Sequence, residues 1–229
     1  LVGHGTLRGS VVGMGDGSAD KSQVRVMQRE VERAMRVGCF GLSTGLVYAP
    51  GCFAEREEIV ALAEVTASHD GVYASHLRSE SDQLVEALDE FLSVCEQTGC
   101  RAQYSHTKTA GRRNWNKLAD VRRRMDQARE RGVELFADRY PYTASCTDLA
   151  TILLPNDALA GGRGAIVRRL TDRKQRDELK QRIIAREQID GDGADWFTRV
   201  MISSVSNKAL REAEGKTLAQ WADASGGGD

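Results

Sequence analysis

The chain has 229 residues but only four histidines, and its five cysteines form no CxxC pair. Cys39, Cys52, Cys95, Cys100 and Cys146 are odd in number and scattered, which argues against a disulfide framework and for reduced, mostly buried thiols. An excess of charge of one sign is missing as well. The 32 basic residues balance 33 acidic ones to a net charge of −1, so no basic footprint points to nucleic acid. No apolar run approaches the roughly 18 residues that a membrane helix needs, and no signal-peptide pattern is visible. The expectation is a soluble, cytoplasmic protein with no nucleic-acid or membrane partner, its oligomeric state left open. What is present fits a globular chain with a sizeable core: 41 % hydrophobic and 28 % charged residues. The length is generous for one domain and ordinary for an α/β barrel. Because the chain begins inside an apolar run at Leu1 and stops at "SGGGD", it reads as an excised part of a longer protein.

Two of the scarce histidines stand in matched contexts, "YASHLR" ending at Arg78 and "QYSHTK" ending at Lys108, thirty positions apart. The interval has a structural origin. Short runs rich in Val, Tyr and Phe begin near Cys39, Val72, Arg101 and Val133, at spacings of 33, 29 and 32 residues. Between them lie segments of helical periodicity. Over 81–97, Leu84, Val85, Leu88, Phe91, Leu92 and Cys95 form one stripe, with Ser79 or Ser81 as the starting cap and Gly99 as the stop. Glycines recur before each strand at Gly38, Gly71, Gly99 and Gly132. A β-α unit of about thirty residues, repeated, packs as parallel strands with crossover helices. Parallel strands end on one side, where ligands bind in such folds. His76, His106 and Asp138 each close a strand, so the histidines are expected to converge on one rim.

Two imidazoles from adjacent strand ends form part of a ligand set suited to Zn²⁺, which commonly takes three protein ligands and leaves a position for water. Water held there is acidic enough to supply hydroxide near neutral pH, a route to amide hydrolysis. Spacing alone weighs this evenly against histidines that satisfy polar strand ends or bind substrate without metal.

The motifs together resemble the N-acyl-D-amino-acid deacylases (D-aminoacylases) of the amidohydrolase superfamily. The resemblance is carried by "LVGHGTLR" at 1–8, "GLSTGLVYAPG" at 41–51, "YASHLRSESD" at 73–82, "YSHTKTAGRRNW" at 104–115, "DRYPYTAS" at 138–145 and "GKTLAQWA" at 215–222. It implies the central part of a metal-dependent TIM-like (β/α)₈ hydrolase barrel that removes the acyl group from N-acylated D-amino acids, with Zn²⁺ as cofactor and a small N-acyl amino acid as partner. It implies further that His76 and His106 are metal ligands and that Tyr48, Lys108 and Tyr140 contact substrate. The family's His-X-His pair and cysteine ligand are expected upstream of Leu1, and its general-base aspartate beyond Asp229. No catalytic base is therefore expected within the chain, and the isolated fragment is expected to be inactive. A hydantoinase- or dihydropyrimidinase-like cyclic-amide hydrolase, or a barrel that binds an acylated ligand without chemistry, remain alternatives.

Lys108 and Arg78 each follow a histidine by two positions, so a persisting strand would put them on its histidine's side, where a cation can hold a substrate carboxylate. A salt bridge to Glu80, Asp82 or Asp138 is the competing role. His4 is expected to be structural or to support the site from behind, His69 to be solvated, Cys95 to lie in the core, and Cys146 to be the only cysteine able to approach the rim. Residues 1–146 read as the partial barrel. Residues 147–229 break the rhythm with Pro155, "AGGRG", a charged helix over 172–186 and a short strand "TRVMISSV", and read as an inserted lid or small α/β subdomain.

Overall fold

The computed structural model describes residues 1–190 and 196–226. Five strands, β1 (Val2–Gly3), β2 (Gly41–Gly45), β3 (Val72–His76), β4 (Arg101–Tyr104) and β5 (Leu135–Ala137), form one sheet in the order β1-β2-β3-β4-β5. Every neighbouring pair is parallel. Each connection runs through helix: α1 (His4–Val11) and α2 (Lys21–Arg36), then α3 (Arg56–Ser68), α4 (Leu84–Thr98) and α5 (Leu118–Glu130). The α/β class and repeating unit expected from the sequence are thus the observed architecture.

Local chemistry sets the boundaries. Asp20 caps α2 with a reciprocal capping box to Gln23, satisfying amides that the helix itself cannot. Gly99 ends α4 at φ 67°, a left-handed conformation that costs glycine nothing. Gly41, which opens β2, has φ 155°, and a Cβ there would lie 2.0 Å from the Val72 carbonyl oxygen. Only glycine lets β2 approach β3 that closely. The start of α4 differs from expectation. The helix begins at Leu84 after Gln83, which donates no side-chain cap. Ser79 instead spends its hydroxyl one turn earlier, accepting from the Ser81 and Gln83 amides.

The core lies between sheet and helices, with Leu42, Leu62, Tyr73, Leu84, Leu88, Phe91, Ala102 and Tyr104 among its buried members. Cys95 is buried there as expected. A charged cluster is buried beside it. Arg8 and Glu58 form an ion pair 0 % and 3 % exposed, and His4 Nε2 lies 2.7 Å from Glu58 Oε1. Arg8 also donates to the carbonyls of Pro50 at 3.0 Å, Gly17 at 2.6 Å and Phe53 at 3.3 Å. His69 is not simply solvated: its Nε2 pairs with Glu32 at 2.8 Å.

Beyond β5 the described residues include the helices α6 (Leu149–Leu153), α7 (Asn156–Leu159), α8 (Gly162–Thr171), α9 (Arg173–Asp190) and α10 (Leu218–Ala224). The charged helix expected over 172–186 is α9, with the Asp172 side chain accepting from the Gln175 amide at its start. The expected strand "TRVMISSV" is not formed. Only a single antiparallel bridge, Met201 to Thr217, occurs there. Val200 and Ile202 bond to the backbone over 215–218: the Ile202 amide donates to the Lys216 carbonyl at 2.9 Å, the Gly215 amide to the Ile202 carbonyl at 2.8 Å and the Leu218 amide to the Val200 carbonyl at 2.9 Å. The pairing stops where α10 begins at Leu218, and Met201 stays exposed. Among the described residues no helix is long and apolar enough to cross a membrane.

Candidate functional site at the strand ends

The register places Gly45 opposite His76, and Ser75 opposite Tyr104, so β2, β3 and β4 finish level with one another. His76 is the last residue of β3, whereas His106 lies two residues past β4 in a turn. His106 has φ 42°, a left-handed conformation uncommon for a residue with a Cβ. Asp138 holds it there: the His106 amide donates to Asp138 Oδ1 at 2.6 Å, and the Thr107 amide to the Asp138 carbonyl at 2.8 Å. Gln103 donates to the other carboxylate oxygen at 2.6 Å.

The two rings meet. Their centroids are 4.1 Å apart, and His106 Nε2 contacts His76 Nδ1 directly. Burial, followed by the neighbouring His106, lowers the His76 pKa and favours its neutral, metal-binding form. Lys108 Nζ lies 2.6 Å from His106 Nδ1 and donates to Glu80 Oε1 at 2.7 Å. The same Glu80 oxygen is 3.1 Å from His106 Nδ1. Tyr48 meets His76 edge-on with centroids 6.0 Å apart, and Tyr140 lies 6.2 Å from the His106 ring. Lys108 also sits over the Tyr140 ring at 5.5 Å.

Five of the six residues singled out in the sequence therefore gather in one place: Tyr48, His76, His106, Lys108 and Tyr140. Arg78 is engaged elsewhere. Its guanidinium pairs with Glu90 at 2.7 Å and donates to the carbonyls of Cys52 and Ala54, both at 2.9 Å. That Glu90 hydrogen bond raises the Arg78 pKa. Strand alternation fails for both cations because β3 ends at His76 and β4 at Tyr104, before either is reached. Arg78 clamps the loop that follows Tyr48. Cys146 is exposed, with its Sγ 3.6 Å from Ser203 Oγ.

Glu80 is the residue the sequence reading undervalued, having entered only as a salt-bridge partner. His76, Glu80 and His106 each offer a ligand atom, all within 4.8 Å of one another. The two imidazole nitrogens suit Zn²⁺, so the histidine pair fits part of a zinc site, with the Glu80 carboxylate on the Nδ1 side of His106. The signal was its place in "SHLRSE", four residues after His76 and on the loop that faces Lys108.

No family model matches the chain. It is 41 % identical over 160 residues to the N-acyl-D-glutamate deacylase of Alcaligenes xylosoxydans xylosoxydans, a match covering 69 % of this chain and 32 % of that protein. The D-aminoacylase of the same organism is 31 % identical over 166 residues, covering 72 % and 33 %. Its N-acyl-D-aspartate deacylase is 33 % identical over 150 residues, covering 65 % and 30 %. The chain thus spans about a third of the length of these curated relatives. Among solved structures, the N-acyl-D-glutamate deacylase from Bordetella bronchiseptica, complexed with zinc and a phosphonate mimic of the tetrahedral intermediate, superposes with a TM-score of 0.61 at 36 % identity. That match covers 62 % of this chain and 30 % of the other. A D-aminoacylase structure matches with a TM-score of 0.58 at 30 % identity, covering 61 % and 29 %.

Proposed function

Since the chain belongs, over the span it shares with these relatives, to the N-acyl-D-amino-acid deacylase family of amidohydrolases, we propose that it carries part of the active site of an enzyme that hydrolyses the amide bond of N-acyl-D-amino acids. The observation that carries this reading is the convergence of His76, His106, Lys108, Tyr48 and Tyr140 at the ends of parallel strands. His76 and His106 would hold Zn²⁺, which supplies a Lewis acid for the acyl carbonyl and acidifies water for attack. The general base and the remaining ligands of a full zinc shell are not assigned to residues of this chain.

The chain's own groups bind and orient. Lys108 offers an ammonium to the substrate carboxylate, and Tyr48 and Tyr140 flank it with a hydroxyl and a ring face. Residues 147–229 act as a lid over the partial barrel formed by 1–146. Contacts to the rim support this: Thr147 Oγ1 donates to the Tyr48 hydroxyl at 3.3 Å, Ala49 packs on the Leu154–Leu159 cluster, and the Gly161 amide donates to the Met14 carbonyl at 2.6 Å. Five free thiols support a reducing, cytoplasmic setting.

The test is a comparison of N-acyl-D- and N-acyl-L-amino-acid hydrolysis by the full-length protein and two variants. The unsubstituted protein should act on the D substrates, and His106→Ala should lose turnover together with zinc. Lys108→Ala should chiefly raise KM, because its carboxylate partner is remote from the scissile bond. Near-parental turnover by His106→Ala with zinc still bound would end this assignment.

A further inference from the structure

We infer that Glu80 is a positioning residue: it accepts the Nδ1 proton of His106, so that His106 can offer Nε2 to a metal while Lys108 is released from the ring. The inference rests on the reading of His106 as a metal ligand and goes beyond it by assigning what sets the ring's tautomer.

Two groups compete at one nitrogen. His106 Nδ1 has Lys108 Nζ at 2.6 Å and Glu80 Oε1 at 3.1 Å, while Nε2 on the far side of the ring contacts His76 Nδ1. A neutral imidazole has one proton for two nitrogens. While the Lys108 ammonium donates to Nδ1, a neutral ring must carry its proton on Nε2, on the side that meets His76. In that tautomer Nε2 has no lone pair for a metal.

Binding a metal through Nε2 requires the proton on Nδ1. An ammonium has three donors and no lone pair, so Lys108 cannot accept it. Among the described neighbours of Nδ1, Glu80 is the one acceptor. A carboxylate has room for both donors: it can keep Lys108 and take Nδ1–H as well. The exchange balances. One proton leaves Nε2 for solvent, one is taken up from solvent on Nδ1, and His106 stays neutral. Lys108 ends with fewer partners on the ring and a donor free to turn outward.

The backbone holds Glu80 in place for this. The Ala110 amide donates to the Glu80 carbonyl at 2.8 Å, joining the loop after β3 to the loop after β4. Nearby, Asn114 and Lys117 donate to the Asp82 side chain at 3.2 Å and to its carbonyl at 2.6 Å. The carboxylate is thus built into a braced loop between the two strands that carry the histidines.

The two partners of one ion pair should then affect the metal in opposite directions. Zinc affinity of the full-length protein, measured by competition with a chromophoric chelator, separates them. Glu80→Leu should weaken zinc about 10–100-fold, the usual consequence of removing an outer-shell acceptor. Glu80→Gln, whose amide oxygen can still accept, should recover part of that loss. Lys108→Met should hold zinc as well as the unsubstituted protein or more tightly, because the cation that favours the wrong tautomer is gone. Equal weakening by Glu80→Leu and Lys108→Met would show that the ion pair matters only as a brace, and would overturn the inference. So would unchanged affinity in Glu80→Leu. An unsubstituted protein that holds no zinc would overturn both this inference and the reading of His106 on which it rests.

Discussion

Residues 1–140 and residues 147–226 solve the problem of burial in different ways. In the first region each β-α unit is gripped by its neighbours, since strands pair in sequence order and the helices cover one continuous core. In the second, Leu154, Ala158, Leu159 and Leu179 form a small buried cluster, with Ala49 of the first region packed against it. Leu149, Ile152, Val167, Leu170 and Ile184 remain exposed. A helical segment with so thin a core draws its order from what it rests on. Here that support is the rim, through the Met14 and Tyr48 contacts. The strongly cored region carries the candidate site, and the weakly cored region is the one expected to open at lower free energy.

The largest expected effect lies in the first region. Glu58→Ala leaves the Arg8 guanidinium 0 % exposed without its carboxylate and removes the partner of His4. Uncompensated buried charge of this kind costs about 3–5 kcal/mol. Chemical denaturation should show a loss of that order, and proteolysis should reach the loop over 48–54, because Arg8 ties down its Pro50 and Phe53 carbonyls. A loss below about 1 kcal/mol would mean that the cluster behaves as an exposed pair and that the contrast between regions is overstated.

A smaller, more localised effect is expected from Leu159→Ala. Large-to-small changes in a core cost about 2–5 kcal/mol, with the low end where neighbours can collapse into the gap. The small cluster around Leu159 has few neighbours to hold a cavity open, so about 2 kcal/mol is expected. Hydrogen exchange should quicken in α6 to α9 and stay unchanged in β2 to β4. Loss of protection in the strands too would show that the two regions open as one unit.

The same contrast explains what could be read in advance. The sheet was legible because β2 to β5 each follow a glycine, at Gly38, Gly71, Gly99 and Gly132, and run through a short apolar stretch. The thirty-residue spacing of His76 and His106 is the length of one such unit, so their convergence follows from topology. Arg78 was misleading because its partner Glu90 sits on the following helix and its other acceptors are backbone carbonyls, which carry no sequence signal. Glu80 lies in a loop without periodicity, where only the fold brings it between Lys108 and His106. "TRVMISSV" has strand composition, but the segment it pairs with over 215–218 turns into α10 at Leu218, and composition alone could not show that the pairing ends at a single bridge.

The smallest effect is expected at the surface of the second region. Arg182 meets Asp157 through two contacts of 2.7 and 2.9 Å, joining α9 to α7. Both side chains are about half exposed or more, at 49 % and 61 %, so water and salt screen the pair. The hydrogen bond from Arg182 nevertheless holds the Asp157 carboxyl below its usual pKa. A depressed carboxylate stabilises the folded state above its unfolded value of about 3.9, and that stability is lost as pH falls through the lower folded value. Arg182→Ala should therefore cost less than about 1 kcal/mol near neutral pH. The difference from the unsubstituted protein should shrink in 1 M salt, where the screening length falls to about 3 Å, and vanish once the Asp157 carboxyl is protonated in both the folded and the unfolded state. Melts at pH 7 and in acid, with and without salt, read all three. A penalty that persisted in acid would have to come from the Arg182 stem packed along α7, and charge would then have no part in joining the helices of this region.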